Sequence, residues 1–395
     1  MGTTKNRVIY ASRICGKYIS CFVNRRRSGK SKKKILLYAN TSTMEEYLKN
    51  YLDTIGENPE YLFYIFFGDG YSDRKLQTLD GTKLSGRNIE VISQEWRLYL
   101  RKWDLIVCAD LQYPFMLKKG SVPLLHVKHG LSIISYDGGE HTYAYGEDCF
   151  DENGDFLFDV MLEPDMSVAK AMWDAGKQFQ DVIKFTGYDQ SQTIEREAEK
   201  KQYYKKQLGI PDDKIVVSFF GSWNKESLFH VLGKDLFTEC QKLKEKYMFI
   251  FSIHPNEYRK YDENIEPIGE LVDKQREHGF LVRSPKEDWL PYMMASDIVV
   301  ADYTTMTALA MIAEKKIIFS DFPDSRIWKK SLYYKAKHEL PVICKAAQLE
   351  EKLQEVMECQ EYNDLIMECK KNLYVPYDEY KKKVVWITKE LLKES

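Results

Sequence analysis

The chain has 395 residues, 44% hydrophobic and 13% aromatic, with 58 Lys and Arg against 60 Asp and Glu and a formal net charge of −2. This length fits two domains of ordinary size, and the hydrophobic content excludes general disorder. The charge balance hides an asymmetry: residues 1–34 hold eleven Lys and Arg and no acid, leaving 47 basic against 60 acidic side chains elsewhere, which excludes a nucleic-acid-binding globule.

In the basic arm, 1–34, Val8, Ala11, Cys15, Tyr18 and Phe22 recur every three or four residues with Arg and Lys between them. A basic amphipathic helix of this kind is expected to lie on an anionic membrane surface, each basic residue contributing about 1 kcal/mol. No apolar stretch reaches transmembrane length, and the N-terminus is too polar for a cleavable signal peptide. The eight cysteines include no C-x-x-C pair and read as reduced thiols, not as a disulfide framework or zinc site. The expected location is therefore cytoplasmic, peripheral on the inner face of the cell membrane.

From residue 35 onward, short apolar runs alternate with polar helical stretches. Strands are predicted at 35–39, 62–67, 89–92, 105–108 and 124–127, with helices at 43–51 and 94–102 between them. A Lys-, Glu- and Gln-rich stretch, 190–214, reads as a surface helix and a turn at Gly209 that launches a second series. That series has strands at 215–220, 247–252, 280–282, 298–301 and 317–320. The reading gives an N-terminal α/β domain at 35–190 and a C-terminal α/β domain at 191–375. A last helix, 376–395, can pack back on the first. Ligands of such sheets bind beyond the carboxyl ends of the strands.

Three clusters fall at predicted strand ends. His129-Gly130 follows the strand at 124–127, and an imidazole there suits a general base for an alcohol. His126 lies within that strand and reads more simply as a histidine that hydrogen-bonds a turn. His254-Pro255 follows an apolar strand, and the proline fixes His254 at the mouth, where a protonated or hydrogen-bonding imidazole can stabilise phosphate oxygens. Asp302-Tyr303-Thr304-Thr305 separates the strand at 298–301 from a helix-forming block at 306–313. Its two hydroxyls and the free N–H groups of the helix start suit a phosphate or diphosphate; the plain alternative is an ordinary Thr N-cap. Gly221-Ser222-Trp223 is a further small-residue turn that can admit a diphosphate or base. Thr186-Gly187-Tyr188 reads as hinge or cleft floor, and Asp69 and Asp110 as common helix caps. No third ligand at useful spacing supports a metal pair.

Taken in order, His129-Gly130, Gly187-Tyr188, Gly221-Ser222-Trp223, His254-Pro255 and Asp302-Tyr303-Thr304-Thr305 resemble motifs of the CDP-glycerol glycerophosphotransferase family. The resemblance spans roughly residues 105–345 and is best over 245–321. It implies a GT-B architecture: two facing Rossmann-like, doubly wound parallel-sheet domains with a cleft, here carrying a basic N-terminal arm. It implies transfer of a polyol phosphate from a CDP-activated donor to the hydroxyl of a lipid-linked or polymer acceptor in cell-wall or capsular polymer synthesis. No cofactor is required beyond the donor itself. In that scheme His129 is the base, and His254, Thr304 and Thr305 serve the donor phosphates. Gly130, Gly221, Ser222, Trp223 and Asp302 complete the substrate-binding set. The sequence departs from the family pattern where Lys128 precedes His129 in place of Trp, and where Gly187-Tyr188-Asp189 lacks the following arginine. Alternative readings are a nucleotide-sugar glycosyltransferase or UDP-N-acetylglucosamine 2-epimerase-like enzyme of the same fold, and a non-catalytic nucleotide-binding scaffold.

Overall fold

The computed structural model describes residues 15, 16, 19, 23, 32–39, 44–68, 84, 87–109, 122–128, 130, 133–135, 138–140, 142, 145, 149–150, 154–260 and 263–393. Most of the basic arm, Asp69, Asp110 and His129 lie outside the described residues. The chain divides into two compact units: Met1–Gly130 with Ala144–Asp189 and Pro376–Ser395, and Leu131–Tyr143 with Gln190–Val375.

In the first unit, the strands are β1 (Lys33–Ala39), β2 (Tyr61–Phe67), β3 (Ile89–Val91), β4 (Leu105–Cys108), β5 (Leu124–Val127), β6 (Val160–Glu163) and β7 (Ile183–Phe185). They form one sheet in the order β3-β2-β1-β4-β5-β6-β7, every described pair parallel. Ile35, Leu36 and Leu37 are wholly buried in sequence, the mark of a strand covered on both faces. β6 and β7 were not expected from sequence, because one ends in Glu163 and the other has Lys184 at its centre. Leu48, Tyr51, Leu52 and Ile55 form the buried stripe of the helix Glu45–Ile55. The helix Tyr377–Leu392 packs beside it: the Tyr51 and Thr388 hydroxyls lie 2.8 Å apart, and Lys33 Nζ donates to the Leu392 carbonyl at 3.1 Å.

The second unit holds β8 (Ile215–Phe220), β9 (Tyr247–Ser252), β10 (Leu281–Arg283), β11 (Ile298–Ala301), β12 (Lys316–Ser320) and β13 (Val342–Ile343). Their order is β10-β9-β8-β11-β12-β13, again all parallel. Phe219, Phe249, Phe251 and Phe280 pack edge-on or tilted against one another in its core. Residues 131–143 group with this unit, whereas the sequence reading kept them in the first domain. The reason is an antiparallel bridge between Ile134 and Ile327, which no local pattern announces. In both sheets the strand order reverses beside the first strand of its series, between β1 and β4 and between β8 and β11. These are the switch points at which loops diverge and leave room for a ligand. Among the described residues no helix is long and apolar enough to cross a membrane.

Candidate active site

The loops after β8 and β11 flank the switch point of the second sheet. β8 ends at Phe220, and Gly221 follows because a Cβ there would lie 2.7 Å from the Phe229 ring. Asn224 completes the turn at φ 89°. β11 ends at Ala301, and Asp302 beyond it is fully buried. The Asp302 carboxylate accepts the Ser222 N–H at 2.9 and 3.0 Å and the Leu228 N–H at 2.8 Å. Its carbonyl accepts the Thr307 and Tyr333 hydroxyls at 3.0 and 2.6 Å. Burial pushes the Asp302 carboxyl up to about 6, and the N–H donors oppose that rise. Tyr303 adds a second tie, its hydroxyl donating to Asn224 Oδ1 at 2.8 Å and to the Trp223 carbonyl at 3.1 Å. A third comes from buried Glu257, which accepts the Asn224 N–H at 2.9 Å and pairs with His230 Nε2 at 3.0 Å. Three residues from two segments thus hold the 221–228 loop in one shape.

β9 delivers His254 just beyond its end, where Pro255 opens a short turn. The His254 Nδ1 accepts the Asn256 N–H at 3.1 Å, so in the neutral ring the hydrogen sits on Nε2. The ring stacks on Trp223 with centroids 6.2 Å apart. Burial lowers the His254 pKa to about 4, with Glu257 opposing. At neutral pH His254 is therefore an uncharged hydrogen-bond donor, not an imidazolium. Thr304 is the N-cap of the helix Thr305–Ile312, its Oγ1 3.4 Å from the Met306 N–H. The plain capping role is real, and the same residue also faces a cavity.

That cavity, about 260 Å³, is lined by Ser222, Trp223, Asn224, His254, Tyr303, Thr304 and Thr305 and bounded further by Ile134 and Arg326. The buried Ser222 hydroxyl makes no hydrogen bond of standard geometry within the protein. Five of the expected residues, Ser222, Trp223, His254, Thr304 and Thr305, meet here. Asp302 was expected to contact ligand; its carboxylate is instead turned into the loops, because backbone N–H groups from both sides of the turn converge on it. Gly221 likewise shapes the turn from behind. Sequence reasoning missed Arg326, whose guanidinium pairs with Glu226, and Glu257. The available signals were an arginine shortly after the end of β12 and an acid directly after His254-Pro255-Asn256.

In the first unit, β5 leads into Lys128 and then to Gly130 at φ 73°, with His129 between them outside the described residues. Lys128 Nζ is buried 2.8 Å from the Glu163 carboxylate at the end of β6 and lies 3.8 Å from the centre of the Tyr145 ring. The Tyr145 hydroxyl also donates to Glu163. Burial lowers the Lys128 pKa while Glu163 opposes it. His126 is buried within β5 against Phe158, ring centroids 4.8 Å apart, and so lies in the sheet and not at a turn.

The pKa shifts of His254 and Asp302 act on stability in opposite directions. His254 falls from 6.5 to about 4 on folding, so the unfolded chain binds the extra proton between those values and stability is lost as pH falls through that window. Asp302 rises from 3.8 to about 6, so there the folded chain binds the extra proton and stability is lost as pH rises. Removing one side of this balance should be visible. Urea unfolding of His254→Gln is expected to show stability relative to the parent rising as pH drops from 6.5 to 4; a pH-independent difference would contradict the shift.

Over residues 20–384 the sequence matches the family described as CDP-Glycerol:Poly(glycerophosphate) glycerophosphotransferase. The chain belongs to that family. No curated protein sequence matches it. Among solved structures, the wall teichoic acid polymerase TagF, in a variant soaked with CDPG for 30 minutes, is similar with a TM-score of 0.68 and 13% identity, over 100% of this chain and 99% of that one. The S. aureus MnaA–UDP co-structure gives 0.58 and 12%, covering 91% and 97%. UDP-GlcNAc 2-epimerase from Neisseria meningitidis bound to UDP-GlcNAc gives 0.54 and 15%, covering 91% and 100%. At these identities the likeness is one of fold, and the fold is GT-B. As a CDP-glycerol glycerophosphotransferase-type enzyme, the chain works on a CDP-glycerol donor and a polymer acceptor. Family membership selects this over the epimerase-like and non-catalytic readings.

Proposed function

We propose that the cavity at the β8–β11 switch point holds the diphosphate of CDP-glycerol and that His129 is the base for the acceptor hydroxyl. The observation that carries this reading is the convergence on one cavity of His254, Thr304, Thr305, the N-terminus of the helix Thr305–Ile312 and Arg326. Each can donate a hydrogen bond to a phosphate oxygen, and the guanidinium adds charge. The acceptor oxygen attacks the phosphorus that carries glycerol, and the bond from that phosphorus to the bridging oxygen breaks. CMP departs with the bridging oxygen, and the acceptor proton passes to His129. Such chemistry rests mainly on positioning and charge neutralisation, so few reactive side chains suffice.

The acceptor in this reading is a teichoic-acid-type chain carried on a lipid. Lys33 and Lys34 belong to β1, and residues 1–32, with nine basic and no acidic side chains, hold the enzyme to the anionic inner surface of the membrane. No metal or other cofactor takes part. The test is product analysis with CDP-glycerol, CDP-ribitol and UDP-linked sugars, the acceptor presented in anionic or neutral vesicles, with and without EDTA. The expected result is CMP release and acceptor elongation from CDP-glycerol, faster on anionic vesicles and insensitive to EDTA. Turnover of a UDP-sugar with CDP-glycerol inert would overturn the donor; equal rates on both vesicles would remove the arm's role.

A further inference from the structure

We infer that residues 133–135 and 138–140, which follow the His129-Gly130 motif, form a strap that positions Arg326 at the donor site and supplies one wall of its cavity. The inference rests on the reading of that cavity as the CDP-glycerol site. Ile134 bridges Ile327 in antiparallel fashion. Beside the bridge, the Ser135 N–H donates to the Arg326 carbonyl at 2.9 Å and the Trp328 N–H to the Ile133 carbonyl at 2.7 Å. Further along, the Lys329 N–H reaches the Gly139 carbonyl at 3.0 Å and the Trp328 indole N–H reaches the Glu140 carbonyl at 3.1 Å. Lys329 Nζ and the Glu140 carboxylate lie 2.6 Å apart.

Alternation along this short extended stretch divides its work. Ile133 and Ser135 are buried, while Ile134 between them lines the cavity. The turn that follows is shaped for close approach. Ser135 Oγ accepts the Gly139 N–H at 3.0 Å, and Gly138 and Gly139 take φ of 83° and 89°. A Cβ on Gly139 would lie 2.9 Å from the Ile327 carbonyl oxygen, so glycine is what lets the two stretches meet. Arg326 closes a single 3-10 turn, Asp324–Arg326, between β12 and the helix Leu332–Glu339, and belongs to neither. The strap gives its backbone a partner, and Glu226 holds its guanidinium. Ser135 and Gly139 are thus positioning residues: donor affinity depends on them although they act through Arg326.

The test is calorimetric titration of the full chain with CDP-glycerol. Arg326→Ala is expected to weaken binding about tenfold or more, as for loss of a charged hydrogen bond. Gly139→Ala should weaken it about fivefold, and the double variant should bind no worse than Arg326→Ala alone, because residues acting through one group are not additive. Ser135→Ala should follow Gly139→Ala and serves in its place if that variant fails to fold; Ser135→Thr should restore affinity. Multiplying losses in the double variant, or parental affinity in folded Gly139→Ala, would overturn the strap. If Thr304→Ala/Thr305→Ala and Arg326→Ala all leave affinity unchanged, the donor-site reading itself fails; if they weaken binding and the strap variants do not, only the strap fails.

Discussion

His129→Ala is expected to lower kcat by about 10²–10⁴-fold, the range contributed by a positioned general base, while CDP-glycerol binding stays within about twofold of the parent. The separation follows from where the donor contacts originate. All the side chains proposed to hold the diphosphate line a cavity of the second unit, and His129 belongs to the first. Nor can His254 substitute as base, because its Nδ1 lone pair is taken by the Asn256 N–H and its Nε2 carries hydrogen. Single-turnover kinetics with calorimetry on the same preparation decides the matter. Parental turnover in His129→Ala would move the base to another residue. A large loss of donor affinity would merge two roles that are here assigned to separate residues.

Asp302→Ala should damage both stability and binding. It removes the acceptor for the Ser222 and Leu228 N–H groups at once, in a place with no solvent exposure. Each buried donor left without a partner costs about 1–3 kcal/mol, so urea unfolding should show a loss of about 2–6 kcal/mol. The loop at 221–228 then loses its tie to β11, and CDP-glycerol affinity should fall about tenfold or more, since an unordered loop must be organised when ligand binds. Asp302→Asn keeps one acceptor oxygen and is expected to fall between the two. A variant that keeps parental stability and affinity would show that the loop is held by Tyr303 and Glu257 alone.

Much of the sheet architecture was legible because its strands are continuous apolar runs, and such runs mean burial on both faces. The predicted bounds of β4, β5, β8, β9 and β11 match those observed. β6 and β7 escaped because each is short and carries a charged residue, which conceals a strand whose neighbours already cover it. In the site, strand-end motifs pointed to His254, Thr304 and Thr305, which share one cavity. What sequence spacing could not supply is side-chain direction. Asp302 lies in the same motif yet points into the loops, and His254 is neutral because of burial that no local pattern encodes. Arg326 and Ile134 reach the cavity through a pairing between segments 193 residues apart, between Ile134 and Ile327, and neither segment reads as a strand.

The helix Tyr377–Leu392 has a consequence for the order in which the molecule is made. It packs on the helix Glu45–Ile55 and meets Lys33 at the start of β1, so the first unit receives one of its supports from a segment translated after the whole second unit. The intervening second unit has only nearer pairings to make, and it can settle while the first still waits with Tyr51 and its neighbours uncovered. During that interval the nascent chain offers an apolar helix face to chaperones, and a chain that stops before residue 377 would carry a second unit that is finished and a first unit that is not.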